Sequence, residues 1–253
     1  MKFNFGVVLF ERTGRGLVPT ATALQLEKAA REMEAGALNL ARTLASSQTQ
    51  AAGTVRITAS VPVAVFLLPP VLARMRLRLP EVQVEVVSDN AVSNLLRREA
   101  DIALRMVRPQ QNSLVAKKIG NVELGIYAHK NYLARHSPVR APADLLRHEL
   151  IGNDTDPTIL DGFAANGYPI TREDFALRTD DFIVQWQAVR NGLGIGFFAD
   201  YLTRSDPDVV RLLAKQLKVP PLPMWLAVHR EIRTNPRIRQ VYDFLAETLP
   251  PML

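Results

Sequence analysis

Few side chains in this sequence have both the type and the spacing that chemistry requires. The four histidines, His129, His136, His148 and His229, stand in no metal-ligand spacing with one another, and the chain has no cysteine. Thiolate ligation, a thiol nucleophile and a disulfide framework are therefore excluded. Ser60 lies between a strand-like run and an apolar helix-like run, the place of a hydrolase nucleophile. Its neighbours are Ala59 and Val61, however, where a strained nucleophile turn needs glycines. Gly194-Ile195-Gly196 has two glycines of a dinucleotide loop, but it follows a helical segment, sits inside an apolar run and lacks the third glycine. No catalytic residue, metal site or cofactor is expected, and the chain does not read as an enzyme.

Binding chemistry is better supplied. Ser60-Val61-Pro62 reads as a helix start, with serine able to cap and proline close behind it. The free N–H groups of such a start, at the C-terminal edge of a parallel sheet, suit a small carboxylate or another anion. Three further segments would reach the same edge: Asn90 after the second strand, Arg105 after the third, and Asp180-Asp181 at the start of a later helix. An arginine there can pair a carboxylate through two parallel hydrogen bonds. The expected ligand is thus a small organic anion. Trp186, Trp225 and the phenylalanines fall at helix or strand spacing and are expected in the core.

These residues need an alternating α/β frame, and the sequence provides one. Val55, Ile57 and Ala59 alternate with polar residues as a half-buried strand, and the segment to Leu79 is helical, kinked or restarted at Pro69-Pro70. Strands are expected at Val82–Val86 and Asp101–Arg105, with a short helix over Ala91–Glu99 between them. This β-α-β-α-β run implies a parallel sheet with right-handed crossovers. Two more strands are expected over 114–119 and 122–128, split at Gly120-Asn121. A second βαβ half follows, with strands at 150–153, 176–179, 194–198 and 224–229, a helix capped by Asp180/Asp181, and a last amphipathic helix opened by Asn235-Pro236. Residues 154–174 and 209–219 show little pattern.

Ahead of this frame, Leu9–Thr20 reads as a hairpin whose basic tip, Arg12-Thr13-Gly14-Arg15-Gly16, uses glycine for a narrow turn. Thr20 is a plausible N-cap of one long helix to Ser47, where Ala23, Leu26, Ala30, Met33, Ala37, Leu40 and Leu44 recur at spacings of three and four. That seam suits a dimer. A net charge of +6 and a sequence pI near 9.8 fit an anionic partner. No apolar run approaches the roughly 18 residues of a membrane span. The N-terminal run is followed at once by Glu11-Arg12 with no cleavage site, so a cytoplasmic protein without membrane contact is expected.

Taken in order, Leu9–Thr20, the long helix, the strand–Ser60–helix junction, Ala100–Arg105 and Asn191–Gly196 resemble a LysR-type transcriptional regulator over essentially the whole chain. The resemblance implies an N-terminal winged helix-turn-helix, a dimerising linker helix and a two-lobed effector domain like the periplasmic solute-binding proteins. It assigns 1–19 to the remnant wing, with Arg12, Thr13 and Arg15 as DNA contacts, 20–47 to the linker helix, and 48–253 to the effector domain. Within the last, about 54–129 and 230–253 would form the first lobe and about 130–229 the second. A small-molecule effector would sit between them near Ser60, Val61, Asn90, Arg105, Asn153, Asp181 and Phe182. Promoter DNA and a homodimer or homotetramer are the implied partners. A complete member carries a helix-turn-helix ahead of Leu9, and Met1–Gly6 is too short for one, so base-specific DNA binding by this chain alone is not expected. The alternative reading is a stand-alone cytoplasmic small-molecule-binding dimer without DNA readout.

Overall fold

The computed structural model describes residues 6–14, 16–46, 52–90, 100–204, 206–217, 219–230, 233 and 235–253. The chain opens on a two-stranded hairpin, β1 (Phe10–Thr13) and β2 (Gly16–Pro19), with Thr13 paired to Gly16 and Arg12 to Leu17. Gly16 has φ +131°, which a side chain would resist. Thr20 ends the hairpin and starts α1 (Ala21–Ser46): its Oγ1 donates to the Val8 carbonyl at 2.9 Å and accepts the Ala23 N–H at 3.2 Å. Along α1, Leu26 and Met33 of the expected seam are 44% and 77% exposed, so none of the other described residues covers them.

The first five-stranded sheet has the order β4-β3-β5-β12-β6. Its members are β3 (Gly53–Ala59), β4 (Val82–Ser88), β5 (Ile102–Arg105), β6 (Leu114–Val122) and β12 (Leu222–His229). β3 is parallel to β4 and β5, as the alternating pattern implied. The sheet is nonetheless mixed, because β12 runs antiparallel to both β5 and β6. β12 does not follow a crossover helix; it returns from the other lobe, and the right-handed βαβ rule does not govern it. The expected break at Gly120-Asn121 is absent: β6 continues through both residues, paired to β12 across a bulge at Met224/Trp225. Behind the sheet, α7 (Pro236–Thr248) packs on β3 and on α2 (Leu68–Arg78), burying Ile238, Val241 and Leu245 against Val71 and Met75. Asn235 caps α7 through the N–H groups of Arg237 and Ile238.

Ahead of α2 the chain forms a π-helical turn, Val63–Leu67, in which the Leu68 N–H reaches five residues back to the Val63 carbonyl. Pro69 and Pro70 lack the N–H groups that would have continued an α-helical ladder, which is the sequence origin of this turn.

The second sheet has the order β11-β7-β10-β8-β9. It comprises β7 (Leu124–His129), β8 (Leu150–Gly152), β9 (Phe175–Arg178), β10 (Ile195–Ala199) and β11 (Val209–Leu212). Shorter helices lie around it: α3 (Lys130–Leu133), α4 (Thr158–Ala165), α5 (Phe182–Arg190) and α6 (Asp200–Thr203). The lobe boundaries therefore move from those expected. β7 belongs to the second lobe and β12 to the first, so the chain crosses at Glu123 and again ahead of Leu222. Reading 122–128 as one strand had hidden the first crossing, because the sheet changes within it. Two expectations on weakly patterned stretches also change: α4 lies within 154–174, and β11 within 209–219. The expected helix over Ala91–Glu99 lies outside the described residues. Trp186 is fully buried, whereas Trp225 is half-buried beneath the Arg108 guanidinium, 5.4 Å from the ring centre.

Two glycines differ sharply in what surrounds them. A Cβ on Gly194 would collide with the Glu149 carbonyl oxygen, whereas a Cβ on Gly162, inside α4, would meet nothing. Gly194→Ala should lose roughly 2 kcal/mol or more in urea unfolding, and Gly162→Ala should gain about 0.5–1 kcal/mol. Equal effects at the two positions would contradict this packing.

Candidate functional site

Between the two sheets lies a cavity of about 650 Å³, within the range of small-molecule sites. Lobe I contributes the β3 exit at Ser60 and Pro62, the β4 exit at Asn90, and Met106-Val107 after β5. Lobe II contributes Asn153 after β8, α4, the start of α5 at Phe182, and Phe198 with Tyr201 at the end of β10. These are ends of strands and starts of helices, where a two-lobed α/β fold gathers its loops.

Ser60, Asn90, Asn153 and Phe182 are thus brought together as expected; Val61, Arg105 and Asp181 do not line the cavity. Each of the three is held elsewhere. The Val61 N–H donates to Asn90 Oδ1 at 3.1 Å. Arg105 is 4% exposed inside the first sheet, its guanidinium donating to Thr58 Oγ1 at 2.8 Å and to the Leu104 carbonyl at 3.2 Å. Burial lowers its pKa, with Asp89 acting against the shift. Asp181 caps α5 as expected, accepting the Ile183 and Val184 N–H groups at 2.8 and 3.2 Å.

Ser60 corrects another expectation. Its carbonyl accepts the Ala64 N–H at 2.9 Å, so the helix does begin there. The hydroxyl caps nothing: Ser60 Oγ is buried and has no hydrogen-bond partner among the described residues. Tyr201, 5% exposed on α6, has a hydroxyl in the same condition. Burial raises the pKa of its phenol, which stays protonated. Two neutral hydroxyls, one from each lobe, thus lie buried behind the cavity wall without partners among the described residues.

On the second lobe, Asn153 Oδ1 accepts from Gln185 Nε2 at 2.8 Å, and the same nitrogen donates to the Thr179 carbonyl at 2.5 Å. Asp180 accepts from Thr155 Oγ1 at 2.5 Å and from the N–H groups of Asp154 and Thr155 at 2.9 and 3.1 Å. The Thr155 bond, then the backbone donors, hold its carboxyl below the usual aspartate range. Rings make up much of the wall: Phe182 and Phe198 meet edge to face at 5.2 Å, and Phe163 and Phe197 at 5.6 Å.

Sequence reasoning missed α4 and Tyr201. A signal for α4 was present: Asp156-Pro157-Thr158 is a helix start, with Asp156 Oδ1 accepting the Thr158 N–H at 2.9 Å, and Ile159, Leu160, Phe163 and Ala164 repeat at helical spacing. Gly162 and Gly167 masked it. No pattern marked Tyr201, since its placement depends on the sheet that precedes it. Elsewhere, His129 stands beside Asp206 and Asp208, whose carboxylates pair with Arg190 at 2.5 Å and Lys130 at 3.2 Å. In the hairpin, Arg12 and Thr13 are exposed, and Arg15 lies outside the described residues.

Since neither hydroxyl has a partner among the described residues, removing it should not destabilise the unliganded protein. Ser60→Ala and Tyr201→Phe should each leave unfolding free energy unchanged or raise it by up to about 1 kcal/mol. A loss of about 1 kcal/mol for Ser60→Ala, the ordinary cost of deleting an N-cap, would show that the hydroxyl caps the helix after all.

Comparison with known proteins agrees with this architecture. A family described as the LysR substrate binding domain matches residues 48–250. The HTH-type transcriptional regulator CrgA of Neisseria meningitidis serogroup C is 28% identical over 253 residues, which span 97% of this chain and 84% of that protein. PtxR of Pseudomonas aeruginosa, another HTH-type transcriptional regulator, is 28% identical over 98% of this chain and 81% of its own length. The solved structure of CrgA superposes with a TM-score of 0.70 at 27% identity, covering 96% of this chain and 84% of that one. Together with the two-lobed fold, these matches show that the chain belongs to the LysR family of transcriptional regulators.

Proposed function

We propose that the cavity between the lobes is the effector site of this regulator, and that its occupancy controls transcription from promoter DNA in the cytoplasm. The observation that carries the proposal is the cavity itself, walled by strand exits of both lobes: Ser60, Asn90 and Met106 from one, Asn153, Phe182 and Phe198 from the other. A ligand that meets both lobes has a different affinity for each inter-lobe angle, and that difference is what shifts a population. The regulator acts as a homodimer or a higher homo-oligomer: the exposed Leu26 and Met33 of α1 offer an uncovered apolar seam for a second copy. None of the described helices is long and apolar enough to cross a membrane.

A cavity-filling substitution separates sensing from folding. Gly162 lines the cavity and a Cβ there meets nothing within 4 Å, so Gly162→Trp should place an indole into the site and obstruct it. In the source organism, deletion of the gene should alter transcripts from a limited set of promoters. The Gly162→Trp allele should hold those promoters at one level across growth conditions in which the wild type varies. Unchanged transcripts on deletion would remove the regulatory reading. Promoters that still vary in the Gly162→Trp strain would show that sensing lies outside the cavity.

A further inference from the structure

We infer that the cavity continues past the cleft into an apolar pocket inside lobe II, and that its ligand is an amphiphile whose hydrocarbon part fills that pocket while its polar end lies between the lobes. This deepens the proposal that the cavity is the effector site and rests on it.

The pocket is built from one face of the second sheet and one stripe of α4. Leu124 and Ile126 of β7 stand opposite Ala199 and Phe197 of β10, at alternate positions, so all four side chains share a face. All four line the cavity. On α4, Ile159, Gly162 and Phe163 recur at helical spacing and line it together. The Phe163 ring meets Phe197 edge to face at 5.6 Å and so ties the helix to the sheet. Leu145, Leu217 and Val219 complete this part of the wall.

The division of the cavity by chemistry carries the inference. Asn90 of lobe I, with Asn153, Asp180 and Gln185 of lobe II, gathers polar groups around the strand exits, whereas the wall around α4 is hydrocarbon drawn from lobe II. Ile159, Phe197, Leu217 and Val219 are half-buried, so each keeps surface that a ligand can cover. Polar side chains beside the α4 stripe are already engaged: Asn166 Nδ2 donates to the Gly162 carbonyl at 2.8 Å, and Thr158 Oγ1 to Asp156. Water held against such a wall finds few hydrogen-bond partners, and a hydrocarbon group that displaces it is favoured in proportion to the area covered. The whole cavity, about 650 Å³, has room for both parts of such a ligand. The pocket selects for hydrocarbon, whatever the charge at the other end.

Calorimetric titration of the full chain at neutral pH with 1-butanol, 1-hexanol and 1-octanol, and with butanoate, hexanoate and octanoate, tests the inference. The weaker, shorter compounds are read by displacement of the longest. Within each series binding should tighten about fourfold per added methylene, the transfer gain of burying one. Ile159→Asn and Leu217→Asn each put an amide at a half-buried position of the wall. Each should weaken the eight-carbon compounds at least about fivefold, and the four-carbon compounds less than about twofold. Affinity independent of chain length overturns the apolar pocket. An absence of binding by all six compounds does so too, as does a chain-length dependence left intact in both variants. Gly162→Trp, or Gly162→Phe if the larger ring unfolds the protein, judges the cavity itself. Binding without chain-length dependence that this plug abolishes keeps the cavity and removes only the pocket. Binding that survives the plug places the ligand elsewhere and overturns both readings.

Discussion

The lobes meet through rings, and the cavity wall is built on the same stack. Phe66, from the π-helical turn of lobe I, meets Trp186 of α5 in lobe II edge to face at 5.9 Å. Trp186 meets Phe198 at 5.3 Å, and Phe198 meets Phe182 at 5.2 Å. The last two rings line the cavity, while Trp186 and Phe66 lie behind them. Such contacts contribute roughly 0.5–1.5 kcal/mol each beyond the area they bury, and they fix orientation as well. A molecule pressing on Phe182 or Phe198 therefore presses, through Trp186, on the surface where one lobe rests on the other. The buried core is continuous across that surface, with Leu67 and Val63 joining Trp186 and Phe198 in one cluster.

The position of Phe66 traces to Pro69-Pro70. Without their N–H groups an α-helical ladder from Ser60 could not pass unbroken, and the widened turn results. α6 packs against that turn and carries Tyr201. The second lobe is braced up to the crossing itself: the Asp200 N–H donates to the Glu123 carbonyl at 2.9 Å, and Arg211 bridges the Asp200 carboxylate at 2.6 Å and the Leu124 carbonyl at 2.9 Å. Tyr127 donates its hydroxyl to the same carboxylate. Burial, then that bond, raises the pKa of its phenol. These bonds tie down the strands on either side of Glu123, so the lobes are joined through the two chain crossings and the ring contacts.

Much of the fold was legible in the sequence because local patterns and tertiary structure agree. Thr20, Asp181 and Asn235 each cap the helix they announce, and the apolar alternation of β3 matches a strand buried between neighbours. The failures occur where distant chain decides. Residues 114–128 read as two strands of one sheet, but nothing local says that Val122 and Leu124 pair in different sheets. β12 reads correctly as a strand, yet its antiparallel place between β5 and β6 depends on a return from the other lobe. The site shows the same division. Ser60, Asn90, Asn153 and Phe182 were legible because strand exits in this architecture converge. Arg105 was misplaced because the last residue of a strand may turn its side chain into the sheet or out of it, and here Thr58 holds it inside.

The central claim is that a molecule in the cavity sets the angle between the lobes, and an inter-lobe distance tests it most directly. The chain has no cysteine, so spin labels can be placed without background. Leu77→Cys on α2 and Ser137→Cys after α3 lie on exposed surface of lobe I and lobe II respectively. Pulsed electron resonance on this pair should give a distance distribution that shifts and narrows when a cavity-binding compound is added. It should give one that does not respond when Gly162→Trp fills the site. A distribution unchanged by a compound that demonstrably binds in the cavity would contradict the account.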